Sequence, residues 1–152
     1  MKILDFLDPN NIITELKATD KKGVLEELTL PVTDITQIEH KELVRVLIER
    51  EHLGSTGIGN GIGIPHGKLK NLSSLILGVG ISRKGVNFDA MDKKPTHIFF
   101  LLLTPDNSTN LHLKLLARIS KILKEESFKD KLLVSSDRNE VIRLIQGIDE
   151  DF

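Results

Sequence analysis

The sequence predicts a single α/β domain in which strands and helices interleave as layers around one core. Three observations carry that prediction. Apolar runs of strand length alternate with segments of helical periodicity, and no repeat, linker or low-complexity stretch separates them. A length of 152 residues, 39% of them hydrophobic, suits one domain, taken as residues 1–152. Residues 96–103 are dense in Ile, Phe and Leu, the pattern of a central strand covered on both faces.

Taken in order, Asp8, Pro9, Asn10 and Asn11 predict a turn, followed by a short strand over 12–16. Thr19 or Asp20 can cap a helix that carries Val24, Leu25 and Leu28, and Pro31 is expected to end it. Over 39–52, Leu43, Val44, Leu47 and Ile48 recur at helical spacing, and Gly54 follows as a stop. Residues 75–82 read as a buried strand, and 85–92 as a turn-rich stretch anchored by Phe88. After the strand at 96–103, residues 104–109 offer a turn and several helix caps. The helix over 110–123 then turns Leu111, Leu115, Leu116, Ile119 and Leu123 inward, with His112 in its first turn. Two more helices are predicted at 128–134 and 138–146, the second capped by Asp137 and stopped by Gly147.

Composition narrows the function classes. With 21 basic and 22 acidic residues in no long block, there is no electrostatic case for nucleic acid or an anionic membrane. The absence of Trp and Tyr argues against base stacking. The absence of Cys excludes disulfides, thiolate catalysis and Cys-type zinc sites. Asp5, Asp8 and Pro9 interrupt any signal-peptide core, and the longest apolar run, 98–103, is far short of the roughly 20 residues that span a bilayer. A cytoplasmic protein is expected, with no nucleic-acid partner and no membrane insertion.

The distinctive stretch is 54–67, Gly-Ser-Thr-Gly-Ile-Gly-Asn-Gly-Ile-Gly-Ile-Pro-His-Gly, which holds six of the eleven glycines. Dense glycine loses much conformational entropy on folding and so needs a local reason. If extended, the segment would place Ile58, Ile62, Ile64 and His66 on one side and bare backbone on the other. Pro65 gives His66 a stiff approach. Such a histidine can be a nucleophile, a general base, a metal ligand or a hydrogen-bonding corner. No frame fits G-x-G-x-x-G or G-x-x-x-x-G-K-[ST], and no H-E-x-x-H occurs, so nucleotide and metal sites lack support. Backbone N–H groups beside an imidazole, with the Ser55 and Thr56 hydroxyls, suit a phosphoryl group held on histidine. Blander readings stand beside this one. Ser55, Thr56 and Asn60 can simply close the turn, Arg50 can be a solvated helix-end charge, and His112 can be a helix-edge residue packed by Leu115 and Leu116. His40, His52 and His97 carry no chemical signal.

Residues 50–69, beginning Arg50-Glu51-His52-Leu53 and ending Pro65-His66-Gly67-Lys68-Leu69, closely resemble the active-site signature of the EIIA domains of the bacterial phosphotransferase system, fructose/mannitol/nitrogen type. The resemblance extends through Gly85-Val-Asn-Phe-Asp-Ala-Met-Asp and the helix bearing His112, covering nearly the whole chain. It implies a single-domain α/β fold with a mixed β-sheet flanked by helices. It implies a phosphocarrier in which His66 accepts the phosphoryl group, His112 stabilises it and Arg50 supplies charge. Ser55, Thr56, Gly57, Asn60 and Gly67 are the expected phosphoryl-binding positions, with Leu53, Ile58 and Ile62 rimming the site. No cofactor or metal is implied. The implied donor is an HPr-type phosphocarrier, and the acceptor an EIIB domain or a regulatory target. The wording of the glycine stretch is most similar to the nitrogen-related branch. A sugar-uptake component and a binding regulator with a vestigial histidine are the alternatives. One departure is Gly63, where the family usually has alanine, and it is expected to loosen the approach to Pro65.

Overall fold

A computed structural model describes residues 2–150, so the two ends of the 1–152 domain lie outside the described residues. After a 3-10 turn at Ile3–Phe6, strand β1 (Leu7–Ile13) leads into helices α1 (Lys21–Thr36) and α2 (His40–His52). Three short strands follow, β2 (Gly57–Gly59), β3 (Ile62–Gly63) and β4 (His66–Leu69). The long strands β5 (Ile76–Val86) and β6 (Thr96–Pro105) precede helices α3 (Thr109–Ile122), α4 (Glu126–Leu133) and α5 (Arg138–Asp149).

The strands form one mixed sheet in the order β1-β5-β6-β3-β2, with β4 also paired to β6. β5 is antiparallel to β6, whereas β3 and β4 run parallel to it. Side chains alternate along β6. Ile98, Phe100 and Leu102 pack with Leu115, Ile119, Phe128, Leu132 and Val141 of the three C-terminal helices. Phe99, Leu101 and Leu103 pack with Val24, Leu25, Leu28, Leu43 and Leu47 of α1 and α2. A strand covered on both faces has to be apolar throughout, and this is why 96–103 reads as it does.

Several local expectations are corrected. Asp8 to Asn11 do not form a separate turn but lie within β1 as a bulge, where the register moves from Leu7↔Leu77 to Ile12↔Val79. Asn11 fills the gap in the ladder by donating its side-chain amide to Leu77 O at 3.3 Å. Pro9 is tolerated because β1 is an edge strand. The strand ends at Ile13 and does not reach Leu16.

Pro31 lies inside α1 instead of ending it. Its missing N–H and ring clash cost about 3 kcal/mol in a helix interior. Val24, Leu25, Leu28 and Val32 are buried beneath the sheet, and burial of such side chains contributes about 1.5–3 kcal/mol each, enough to carry the helix through. It stops at Gln37, in the left-handed region at φ 60°.

Gly147 does not stop α5, which continues to Asp149. The Asp149 carboxylate is 1% exposed, accepts the backbone N–H groups of Ile3 and Leu4 at 3.0 and 3.2 Å, and lies 3.6 Å from Arg118 Nη2. That buried anchor holds the last turn against the fraying that Gly147 would otherwise allow. Among the described residues, no helix is long and apolar enough to cross a membrane.

Replacing Asp149 by Ala is therefore expected to leave the buried N–H of Ile3 and the part-buried N–H of Leu4 without their acceptor. The expected cost is about 2–4 kcal/mol, read as a lower urea midpoint with an unchanged slope.

Candidate active site

The glycine segment is not one extended run. It folds back at Asn60 and Gly61, whose φ angles of 56° and 78° make a hairpin turn of β2 against β3. After the turn the predicted alternation holds: Ile62 and Ile64 are 3% and 2% exposed, while Ile58 on the outgoing arm is 41% exposed. Gly63 is a rung of the β3–β6 ladder opposite Phe99, and a Cβ there would lie 3.2 Å from the Phe99 ring. Its lack of a side chain makes room for that ring, and the sheet holds it, so the loosened approach expected at this position is absent.

His66 opens β4, in register with Leu102 of β6, and Pro65 O accepts Leu102 N–H at 2.9 Å. The imidazole Nδ1 is 2.7 Å from Ile64 O. A carbonyl oxygen only accepts, so Nδ1 carries the proton and Nε2 holds a lone pair. Arg50, in the last turn of α2, donates Nε–H to that Nε2 at 3.2 Å and Nη1–H to Gly54 O at 2.9 Å. His112, in the first turn of α3, brings its ring centroid within 5.3 Å of the His66 ring, at 61° between planes.

Burial holds the His66 imidazole below its ordinary pKa; the Ile64 carbonyl opposes this, the Arg50 charge adds to it, and Glu51 opposes it again. Burial, with the charges of His66 and Lys68, pushes His112 down to about 4. Both rings are accordingly neutral near pH 7.

Glu51 links this corner to the rest of the fold. It is 6% exposed, accepts Thr56 N–H at 3.1 Å and the Thr56 hydroxyl, and pairs with Lys21 Nζ at 3.0 Å. The remaining predicted positions divide by geometry. Ser55 donates its hydroxyl to Phe88 O at 2.8 Å and accepts Gly57 N–H at 3.0 Å, so it closes the loop. A Cβ on Gly57 would lie 3.0 Å from Ala90 Cα, and one on Gly67 would lie 2.7 Å from Val46 Cγ1. Gly67 thereby lets α2 sit against β4, which is how Arg50 reaches His66. Asn60 is not brought to the site. It lies at the hairpin tip, with its N–H on Asp92 Oδ2 and its carbonyl on Lys129 Nζ. Ile62, two residues on, is already four residues of β6, roughly 13 Å, from the level of His66, and Asn60 lies beyond it.

Ile62 does not rim the site either, since it is in the core. Exposed apolar side chains occur at Leu53 (84%), three residues after Arg50, at Leu113, the neighbour of His112, and further along the sheet at Ile58 and at Met91, whose N–H bonds Gly57 O. Sequence reasoning also passed over Lys68, two residues beyond His66 on the same side of β4, whose Nζ reaches Thr109 Oγ1 at 3.1 Å at the start of α3.

A model of the family described as "Phosphoenolpyruvate-dependent sugar phosphotransferase system, EIIA 2" matches residues 5–147. The chain belongs to that family. This EIIA domain is 34% identical over 145 residues to a nitrogen regulatory protein of Bradyrhizobium diazoefficiens, covering 95% of each chain. It is 28% identical over 151 residues to the fructose-specific EIIABC component of Bacillus subtilis, covering 99% of this chain and 24% of that one. Among solved structures, the nitrogen regulatory protein IIA-Ntr of Neisseria meningitidis superposes with a TM-score of 0.88 at 31% identity, over 93% of this chain and 97% of that one. The mannitol IIA of Escherichia coli shares the fold, with a TM-score of 0.77 at 20% identity over 91% and 97% of the two chains. The domain is thus a phosphotransfer component of that system.

The depressed His112 pKa has a stability consequence. An unfolded His112 titrates near 6.5 and the folded one near 4, so the unfolded chain binds more protons between those values. About 3 kcal/mol of stability, complete above pH 6.5, is expected to fade as the pH falls toward 4. His112→Gln should flatten this part of the curve of unfolding free energy against pH.

Proposed function

We propose that this EIIA domain is a histidine phosphocarrier of the nitrogen-related branch, which takes a phosphoryl group onto His66 Nε2 from an HPr-type phosphohistidine donor in the cytoplasm. The observation that carries the reading is the tautomer of His66: Nδ1–H is committed to Ile64 O at 2.7 Å, which leaves the Nε2 lone pair as the nucleophile in a neutral ring. As that lone pair forms a new N–P bond, the donor's N–P bond breaks and its electron pair returns to the donor ring. With the donor ring protonated on its other nitrogen, that ring leaves as neutral imidazole and the His66 ring becomes the cationic one, its Nδ1–H still on Ile64 O, so no proton has to move in this step.

Such a transfer asks the protein for positioning and charge stabilisation more than for covalent help. Arg50 blocks Nε2 before attack and, tethered to Gly54 O, swings from the nitrogen to the phosphoryl oxygens as they arrive. His112 donates to those oxygens, and Lys68 adds positive charge at the entrance to α3. Ser55 and Thr56 hold the loop that follows α2, and the bare backbone of Gly57 and Gly67 lets neighbouring segments close in. The phosphoryl group adds roughly two negative charges to a face that also exposes Leu53 and Leu113. A change of that size at the centre of a docking surface switches which partner binds.

Full-length similarity to nitrogen regulatory proteins supports a regulatory target as the final partner. A second reading has its own support, since a fructose-specific component matches 99% of this chain. In that reading the phosphoryl group passes to an EIIB domain; the mannitol enzyme IIA of Escherichia coli, which shares the fold, forms a complex with its phosphorylated enzyme IIB.

The deciding experiment is intact-mass spectrometry after incubation with phosphoenolpyruvate, enzyme I and an HPr-type donor. One acid-labile phosphoryl group is expected on the wild type and none on His66→Ala. No uptake by the wild type from any such donor would leave a binding regulator with a vestigial histidine. In the same assay Arg50→Ala is expected to slow uptake by about 10²-fold, the usual loss for one charge-stabilising donor, while the final extent of labelling is kept.

A further inference from the structure

Beside the two histidines lies a buried hydroxyl that takes no part in the transfer step itself. Thr104 sits near the end of β6, opposite Lys68 of β4, and is 0% exposed. Its Oγ1 is 2.8 Å from His112 Nδ1. That ring nitrogen is the hydroxyl's sole partner among the described residues. The pair has two arrangements: the hydroxyl donates to a bare Nδ1, or it accepts from an Nδ1–H. In the second, the hydroxyl proton would be sealed from water with nothing to receive it, which costs the desolvation of a buried donor. In the first, every proton has an acceptor. Neutral imidazole carries one N–H, so placing the acceptor role on Nδ1 puts the ring proton on Nε2.

We propose that Thr104 is a positioning residue for phosphoryl transfer, donating its hydroxyl proton to His112 Nδ1 and so holding His112 in the Nε2–H tautomer that offers a hydrogen bond to the phosphoryl group on His66. The functional half of this rests on the reading of His66 as the phosphoryl acceptor. The two rings, 5.3 Å apart, then hold opposite tautomers for opposite tasks. His66 is protonated on Nδ1 by its bond to Ile64 O and presents a lone pair. His112 accepts at Nδ1 and presents a proton. Each tautomer is set by a group behind the ring, a carbonyl in one case and a hydroxyl in the other. His112 is pushed down to about 4, so its ring stays neutral and the tautomer question is well posed at pH 7.

The test is long-range proton–nitrogen NMR of the imidazoles at pH 7, combined with transfer kinetics for two variants. His112 is expected to show the Nε2–H tautomer and His66 the Nδ1–H tautomer; an Nδ1–H signal from His112 overturns the proposal. Thr104→Val keeps the shape and removes the proton donor, whereas Thr104→Ser keeps the donor and removes a methyl group. A positioning role predicts that Thr104→Val lowers kcat for uptake from the donor about tenfold, the worth of one hydrogen bond, with KM unchanged, while Thr104→Ser stays within about twofold of wild type. A purely packing role predicts the reverse order, with the valine variant active and the serine variant impaired and less stable, and that result overturns the proposal. If the wild type itself takes up no phosphoryl group, the reading of His66 fails, while the NMR result still decides whether Thr104 sets the tautomer of His112.

Discussion

Burial of β6 on both faces is the constraint on which the site depends. Every side chain from Ile98 to Thr104 is out of contact with water, six of them aliphatic or aromatic, and a one-residue slip would exchange the two cores. The register of β6 is therefore strongly specified, and its neighbours inherit it. His66 stands opposite Leu102, Lys68 stands opposite Thr104, and α3 begins shortly after the strand ends, which brings His112 over the same edge. Nothing in the site depends on a long loop finding its place unaided. Arg50 enters from the other layer, carried by α2, and the bare backbone of Gly67 sets how near that helix comes.

Polar groups are buried around this edge, as they are at the Asp149 anchor. Glu51, Thr56, Thr104 and His112 are all at most 6% exposed. Buried polar groups are tolerated where each finds a partner, and these do: Glu51 with Thr56 and Lys21, and Thr104 with His112. The two neutral histidines follow from the same arrangement, since the apolar walls that exclude water also disfavour the imidazolium form. Structural polar contacts and chemical ones merge here, because the bond that satisfies a buried atom also sets what the opposite atom of the ring can do.

Much of the architecture was legible in the sequence for reasons that can be named. The apolar density of 96–103 identifies the central strand because burial on both faces demands it, and Leu43, Val44 and Leu47 identify α2 because a helix hides one stripe. The misreadings share a cause. Pro31, Gly147 and the stretch from Asp8 to Asn11 are local punctuation signals that tertiary contacts overrode: the packing of Val32, the Asp149 anchor and the edge position of β1. At the site, His66 stood out because glycine and proline flank it, and His112 and Arg50 were visible through the family pattern. Asn60 was read with them because it lies in the same string of letters, yet the hairpin carries it to the far end. Lys68 and Thr104 were hidden for the opposite reason. Lysine on a strand and threonine beside a proline are commonplace, and only the pairing of β4 with β6 brings them together at one rung.

The paired anchoring of the two rings has a kinetic consequence. His66 is held through the carbonyl of Ile64, buried beside β3, and His112 through a hydroxyl of the central strand, so neither ring is oriented by a mobile segment. The rotational entropy of aligning the rings is lost once, when the chain folds, and is not lost again at each exchange. In the proposed carrier role, each partner met in a brief encounter would thereby find both rings already aligned, with only the Arg50 side chain left to move off Nε2.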